Sequence, residues 1–195
     1  MEARSIIRLG SEVYMMDPCY NTLDVASGSG RKLQNVLPGD WVCGVEYHSM
    51  HEGKPCYVGS LYCWHSEHTD IDFSTDNMTY DGACGVDSGQ LGIYDAAYFD
   101  EIENSGKERK NDWYLDICRI TLNRDYQAGS KDDKCYVSSS GYGDGGYAVY
   151  VKRNEDGYIV AIRVPFIYGD GESDPEEEEE DSWDVDDYWS AEDDA

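Results

Sequence analysis

The sequence has 195 residues, 15 Lys and Arg against 41 Asp and Glu, and a formal net charge of −26. Hydrophobic residues make up 40% and aromatics 13%, which is enough for one core and too much Tyr and Trp for a wholly disordered chain. The acidity excludes a basic surface for a nucleic-acid backbone or an anionic membrane. The apolar runs are too short for a membrane-spanning helix.

Charge divides the chain. Residues 170–195 hold 15 acids and no Lys or Arg, leaving 26 acids against 15 bases over residues 1–169. We expect a globular domain over 1–169 and a flexible, disordered acidic tail over 170–195. The seven cysteines are odd in number and irregularly spaced, and the first residues lack the apolar stretch of a signal peptide. Reduced thiols in a cytoplasmic protein follow as the expectation.

In chain order, residues 5–9 and 12–16 are short strand candidates, and 28–32 reads as a mobile loop. Trp41, Cys43, Val45 and Tyr47 alternate with Val42, Gly44, Glu46 and His48, and residues 57–64 form the next strand candidate. Residues 89–94 make another. Residues 95–103 carry Ala96, Ala97, Phe99 and Ile102 at helical spacing, and 104–110 reads as a polar loop. Asn111 is placed to cap a short helix with Trp113, Ile117 and Ile120 inward.

Residues 135–139 precede the strongest local pattern, a hairpin. Tyr147, Val149 and Val151 share a face. Beyond the turn 154–157, Tyr158, Val160, Ile162, Val164 and Phe166 share another. The predicted fold class is mostly β, all-β or α+β: one compact antiparallel sheet, or a sandwich or barrel, with one or two short helices.

Three groups of residues suggest chemistry. His48, His51, His65 and His68 surround Cys56 and Cys63. These types suit zinc, but the spacing does not, because residues three apart on a strand face opposite ways. Asp87, Asp95 and Asp144 sit in or beside turns with Ser and Gly, where carboxylates could gather a divalent cation, with His65 or His68 nearby. Turn chemistry alone also accounts for them. The tail mixes Glu176, Glu177, Glu178, Glu179, Glu180, Asp181, Asp186 and Asp187 with Trp183, Tyr188 and Trp189, a composition suited to docking in a basic, partly apolar groove. No nucleophile-elbow or phosphate-loop motif is present.

Three segments carry a resemblance: Asp17-Pro18-Cys19-Tyr20, Gly85-Val86-Asp87-Ser88-Gly89-Gln90-Leu91-Gly92-Ile93-Tyr94-Asp95, and Ser140-Gly141-Tyr142-Gly143-Asp144-Gly145-Gly146-Tyr147. Together they resemble uncharacterised phage and bacterial proteins. The later two are similar to those of the bacterial family called domain of unknown function 4241, and the likeness as a whole runs from about residue 12 to residue 167, leaving the tail outside. The resemblance implies a compact β-rich domain acting inside a bacterial host. It implies no reaction, and it marks Asp87, Asp95 and Asp144 as motif positions.

Two functional readings stay open, with a duller third. One is a non-catalytic acidic protein that imitates nucleic acid and binds a basic host protein, such as a nucleic-acid-binding or defence enzyme. The other is a small metal-dependent enzyme or ligand-binding domain built on the Asp cluster. The third is a phage accessory or structural protein whose acidity keeps it soluble. No cofactor is expected beyond a divalent cation in the second reading.

Overall fold

A computed structural model describes residues 2–168. The tail residues from Glu176 to Trp189 predicted to bind a partner lie outside the described residues. The described elements are β1 (Glu2–Leu9), β2 (Glu12–Met16), α1 (Thr22–Ala26), β3 (Arg31–Gln34), β4 (Gly39–His51), β5 (Lys54–His65), β6 (Thr79–Val86), β7 (Gln90–Asp95), α2 (Ala96–Asn104), α3 (Lys107–Thr121), β8 (Ala128–Lys131), β9 (Cys135–Ser139), β10 (Gly145–Arg153) and β11 (Ile159–Pro165). They form two antiparallel sheets, a six-stranded one ordered β1-β4-β5-β11-β10-β6 and a five-stranded one ordered β3-β2-β7-β9-β8.

Alternation explains how the sheets meet. Ile7, Trp41, Cys43, Leu61, Val149 and Val164 point inward from the larger sheet. Val13, Met15, Leu91, Ile93 and Tyr136 point inward from the smaller one, and together they form the main core. The opposite face of the smaller sheet is also buried. Tyr14, Met16, Tyr94 and Val137 pack there against Phe99, Ile102, Trp113 and Ile117 of α2 and α3. Every residue of β7 is therefore buried, so it reads as a continuous run rather than an alternation. Gly92 is required in it: a Cβ would lie 2.5 Å from the Tyr94 hydroxyl and 2.9 Å from the Tyr136 carbonyl oxygen.

The outer face of the larger sheet is covered by residues 66–78, which carry only one short 3-10 turn, Thr75–Asn77. Ile71, Phe73 and Met78 of this segment pack on Trp64, Ala148, Tyr150 and Ala161.

Several local expectations change. α3 starts at Lys107, not at Asn111, with Gly106 at its cap. Its polar first turn is helical because it pairs with α2: Arg109 bonds Glu101 at 3.2 Å, and Lys110 pairs with Glu103. Residues 31 and 32, read as loop, open the edge strand β3. Arg31 pairs with Asp81 at 3.2 Å and Lys32 with Glu12 at 2.9 Å. In the last hairpin, Lys152 faces Ala161 while Arg153 faces Ile159, so a bulge falls at Val160. Ile159, rather than Tyr158 or Val160, therefore joins Ile162, Val164 and Phe166 in the core. α1, β6 and β8 are additional elements.

Candidate functional site

The three segments that carried the resemblance meet at one corner, through Asp17, the turn at 87–89 and the turn that starts at Ser140. Asp17 follows β2 and is fully buried. Its Oδ1 accepts from the Cys19 amide at 2.8 Å and the Ser88 hydroxyl at 2.7 Å. Its Oδ2 accepts from the amides of Asp87 at 2.9 Å and Ser88 at 2.6 Å. One carboxylate thus clamps the β6–β7 turn, where Gly89 takes a φ of +68°. The Ser140 amide donates to the Gly89 carbonyl at 3.0 Å. The Tyr147 hydroxyl closes the next turn by reaching the carbonyl oxygens of Ser140 at 2.9 Å and Gly143 at 2.7 Å. With its acceptor sites filled by these donors, Asp17 holds structure.

The predicted metal ligands do not converge. Asp87 is exposed at this corner, and the hydroxyl of Tyr20 bonds to it. Burial, reinforced by that carboxylate, pushes Tyr20 above the usual phenol range. Asp144 is exposed in the neighbouring turn. Asp95 stands at the far end of β7, roughly 20 Å away by strand rise. There its Oδ1 caps α2 through the Tyr98 amide at 3.0 Å, and its Oδ2 accepts from the Gly10 amide at 2.7 Å. Among the described residues, no three His, Cys, Asp or Glu side chains gather as a metal-holding group.

His65 and His68 do meet each other, with ring centroids 5.9 Å apart. They sit at the opposite end of the larger sheet from Asp144. The neighbouring Trp64 pairs with Ala161, which pairs with Lys152 near the end of β10. His65 is buried edge-on to Trp41 at 6.0 Å. Its Nδ1 accepts from the Glu67 amide at 3.3 Å, and its Nε2 lies 3.4 Å from the Pro38 carbonyl oxygen.

Polar groups converge instead on the outer face of the larger sheet. A cleft of about 480 Å³ lies between β4, β5, β11 and segment 66–78. Glu46, Ser60, Tyr62 and Arg163 line it from the sheet, and Phe73 and Ser74 from the segment. The Tyr62 hydroxyl donates to Glu46 Oε2 at 2.7 Å. Burial, and then that carboxylate, push the phenol up to about 12. The Arg163 guanidinium lies 5.7 Å from the Tyr62 ring centroid and donates to the Phe73 carbonyl at 3.1 Å. A carboxylate, a guanidinium, a phenol and two serine hydroxyls in one cleft suit a small polar ligand. Sequence reasoning missed this site. The signal was Arg163, a lone charge within the apolar run 159–166, where an inward position would be prohibitively costly.

Segment 66–78 also exposes Glu67, Asp70, Asp72 and Asp76. It lies within a longer stretch, residues 55–106, that contains no Lys or Arg.

Residues 68–164 match the family described as protein of unknown function (DUF4241). The chain belongs to this family through that segment. The match takes in the covering segment, Asp87, Asp95, Asp144 and Arg163, and leaves out β1 to β5. Asp17, Glu46 and Tyr62 are therefore contributed to their sites from outside the family segment. No curated protein and no solved structure matches the chain. Among the described residues, no helix is long and apolar enough to cross a membrane.

Proposed function

We propose that this is a non-catalytic binding protein whose acidic surface engages a basic partner, most simply a nucleic-acid-binding or defence protein of a bacterial host, in the cytoplasm. The observation that carries the reading is the exposed excess of carboxylates on the folded body. Eight of the 15 bases, namely Arg31, Lys32, Lys54, Arg109, Lys110, Arg119, Lys131 and Arg153, are engaged in ion pairs with acids of the body. Glu67, Asp70, Asp72 and Asp76 stand exposed on a segment anchored by Phe73 and Arg163, so their spacing is held before any partner arrives. Each carboxylate would take the place of a phosphate opposite Lys or Arg. The tail adds 15 acids with aromatic residues that supply apolar contact.

The test compares the immobilised full chain with a variant carrying Glu67→Gln, Asp70→Asn, Asp72→Asn and Asp76→Asn. Both are incubated with bacterial lysate at low and high salt, with and without duplex DNA. The reading expects a basic protein retained at low salt, released by salt and by DNA, and weakened in the variant. Retention indifferent to salt and to DNA overturns it.

A second reading is favoured by the cleft around Tyr62, Glu46 and Arg163: a domain that binds a small polar ligand. A thermal-shift screen of charged metabolites is expected to find a stabiliser for the native chain that fails with Tyr62→Phe. A stabiliser indifferent to that change binds elsewhere.

A further inference from the structure

We propose that Cys43 and Cys63 form a redox site, closing to a cross-strand disulfide when the chain meets a thiol-oxidising poise. The two residues face each other directly in the β4–β5 ladder, between the pairs Val42 with Trp64 and Gly44 with Tyr62. Directly opposed residues of an antiparallel ladder hold their Cα atoms about 4.5 or 5.5 Å apart, inside the range that a disulfide spans. Both side chains are fully buried in the core between the sheets, and the Cys63 thiol is close enough to add to the upward push that burial gives the Cys43 thiol.

The other cysteines are placed differently. Cys84 gives its thiol to the Met15 carbonyl at 3.1 Å, and Cys135 to the Lys131 carbonyl at 3.5 Å. Cys19 and Cys56 are exposed, and Cys118 is half-buried. Cys43 and Cys63 therefore differ from the rest in standing directly opposite each other within one ladder.

Burial sets when the bond forms. The reactive species is the thiolate, and burial pushes the Cys43 thiol well above its ordinary range. In the closed sandwich the pair is shielded from oxidants. It reacts while the hairpin is formed and the smaller sheet has yet to cover it, or during an opening of that interface. The oxidant is a low-molecular-weight disulfide. One cysteine thiolate attacks a sulfur of that disulfide, expelling one thiol and leaving a mixed disulfide. The second thiolate attacks the protein-side sulfur and expels the other thiol. The protein loses two electrons and two protons, and the oxidant becomes two thiols. In a reducing cytoplasm the pair stays a dithiol, and oxidation staples the hairpin that spans the middle of the larger sheet.

The full chain would be reduced, unfolded, and refolded in mixed oxidised and reduced glutathione. It would then be denatured, alkylated and mapped by mass spectrometry. The expected product is a Cys43 peptide linked to a Cys63 peptide, lost after dithiothreitol. The variant Cys19→Ser, Cys56→Ser, Cys118→Ser should retain the link, which removes scrambling through accessible thiols as its source. A thermal midpoint higher for the oxidised form than for the reduced form is also expected. Full alkylation of both cysteines in chains that have refolded overturns the proposal, as does a link to any other cysteine. Because Cys63→Ala risks misfolding, the triple variant, which leaves the core untouched, carries the decision.

Discussion

The outer faces of the two sheets are closed in different ways. On the smaller sheet, α2 and α3 lay aromatic side chains onto the strands, with Trp113 at 5.6 Å from Phe99 and 5.7 Å from Tyr94. On the larger sheet, segment 66–78 lies over the strands through Phe73, 5.0 Å from Tyr62 and 5.9 Å from Trp64. A helix satisfies its own backbone and can seal a face with side chains alone. An irregular segment must be tethered group by group, as Arg163 does at the Phe73 carbonyl and Asp72 at the Ser74 amide. The helix-covered face is therefore a wall. The loop-covered face keeps a polar cleft and exposed acids.

The comparison can be broken first at the wall. Trp113→Ala is expected to lower global stability by about 4 kcal/mol in denaturant unfolding, because it empties the aromatic cluster. A loss below about 1 kcal/mol would mean that the helices are not the seal. At the motif corner, Asp17→Ala should cost about 3 kcal/mol in the same assay, since it strands buried donors around a charged acceptor.

The loop-covered face should respond more locally. Phe73→Ala is expected to cost about 1–2 kcal/mol and to speed amide exchange over residues 66–78 while leaving α2 and α3 protected. Equal acceleration on both faces would erase the distinction.

Tyr62→Phe should cost about 1 kcal/mol at neutral pH. It should also change the alkaline limb of stability. The folded phenol is held at about 12, above its unfolded value near 10. Its contribution is thus complete below pH 10 and fades as pH rises toward 12. Thermal midpoints measured across that window should fall less steeply in the variant. Last and smallest, neutralising Glu67, Asp70, Asp72 and Asp76 should move stability by less than about 0.5 kcal/mol. Any loss of partner binding in that variant then reports recognition rather than unfolding.

Much of the strand content was legible because half-buried strands alternate: Trp41, Cys43 and Val45 point inward as read. α3 was read short because polarity was equated with loop, whereas Arg109 and Lys110 pair with Glu101 and Glu103 of α2 across a helix pair. The bulge at Val160 left no mark in composition, since Val160 and Ile159 are interchangeable to a pattern of period two. By sequence the acidic turns suit either a gathered cation or ordinary turn chemistry; Asp95 proved to be a helix cap, and Asp87 and Asp144 stand exposed in turns. Asp17, quoted only as part of a motif, turned out to organise the corner.

The sequence by itself determined the mostly β character, the point at which the acidic stretch begins and the net charge. These follow from composition and short-range periodicity, which need no knowledge of neighbours. Only the tertiary structure decided which carboxylates meet. β7 separates Asp87 from Asp95 by its own length, while Glu46, Tyr62 and Arg163 come from three strands that are adjacent only once the sheet has ordered them. Likewise, Cys43 and Cys63 become partners through ladder register, a long-range property that no local pattern in the chain encodes.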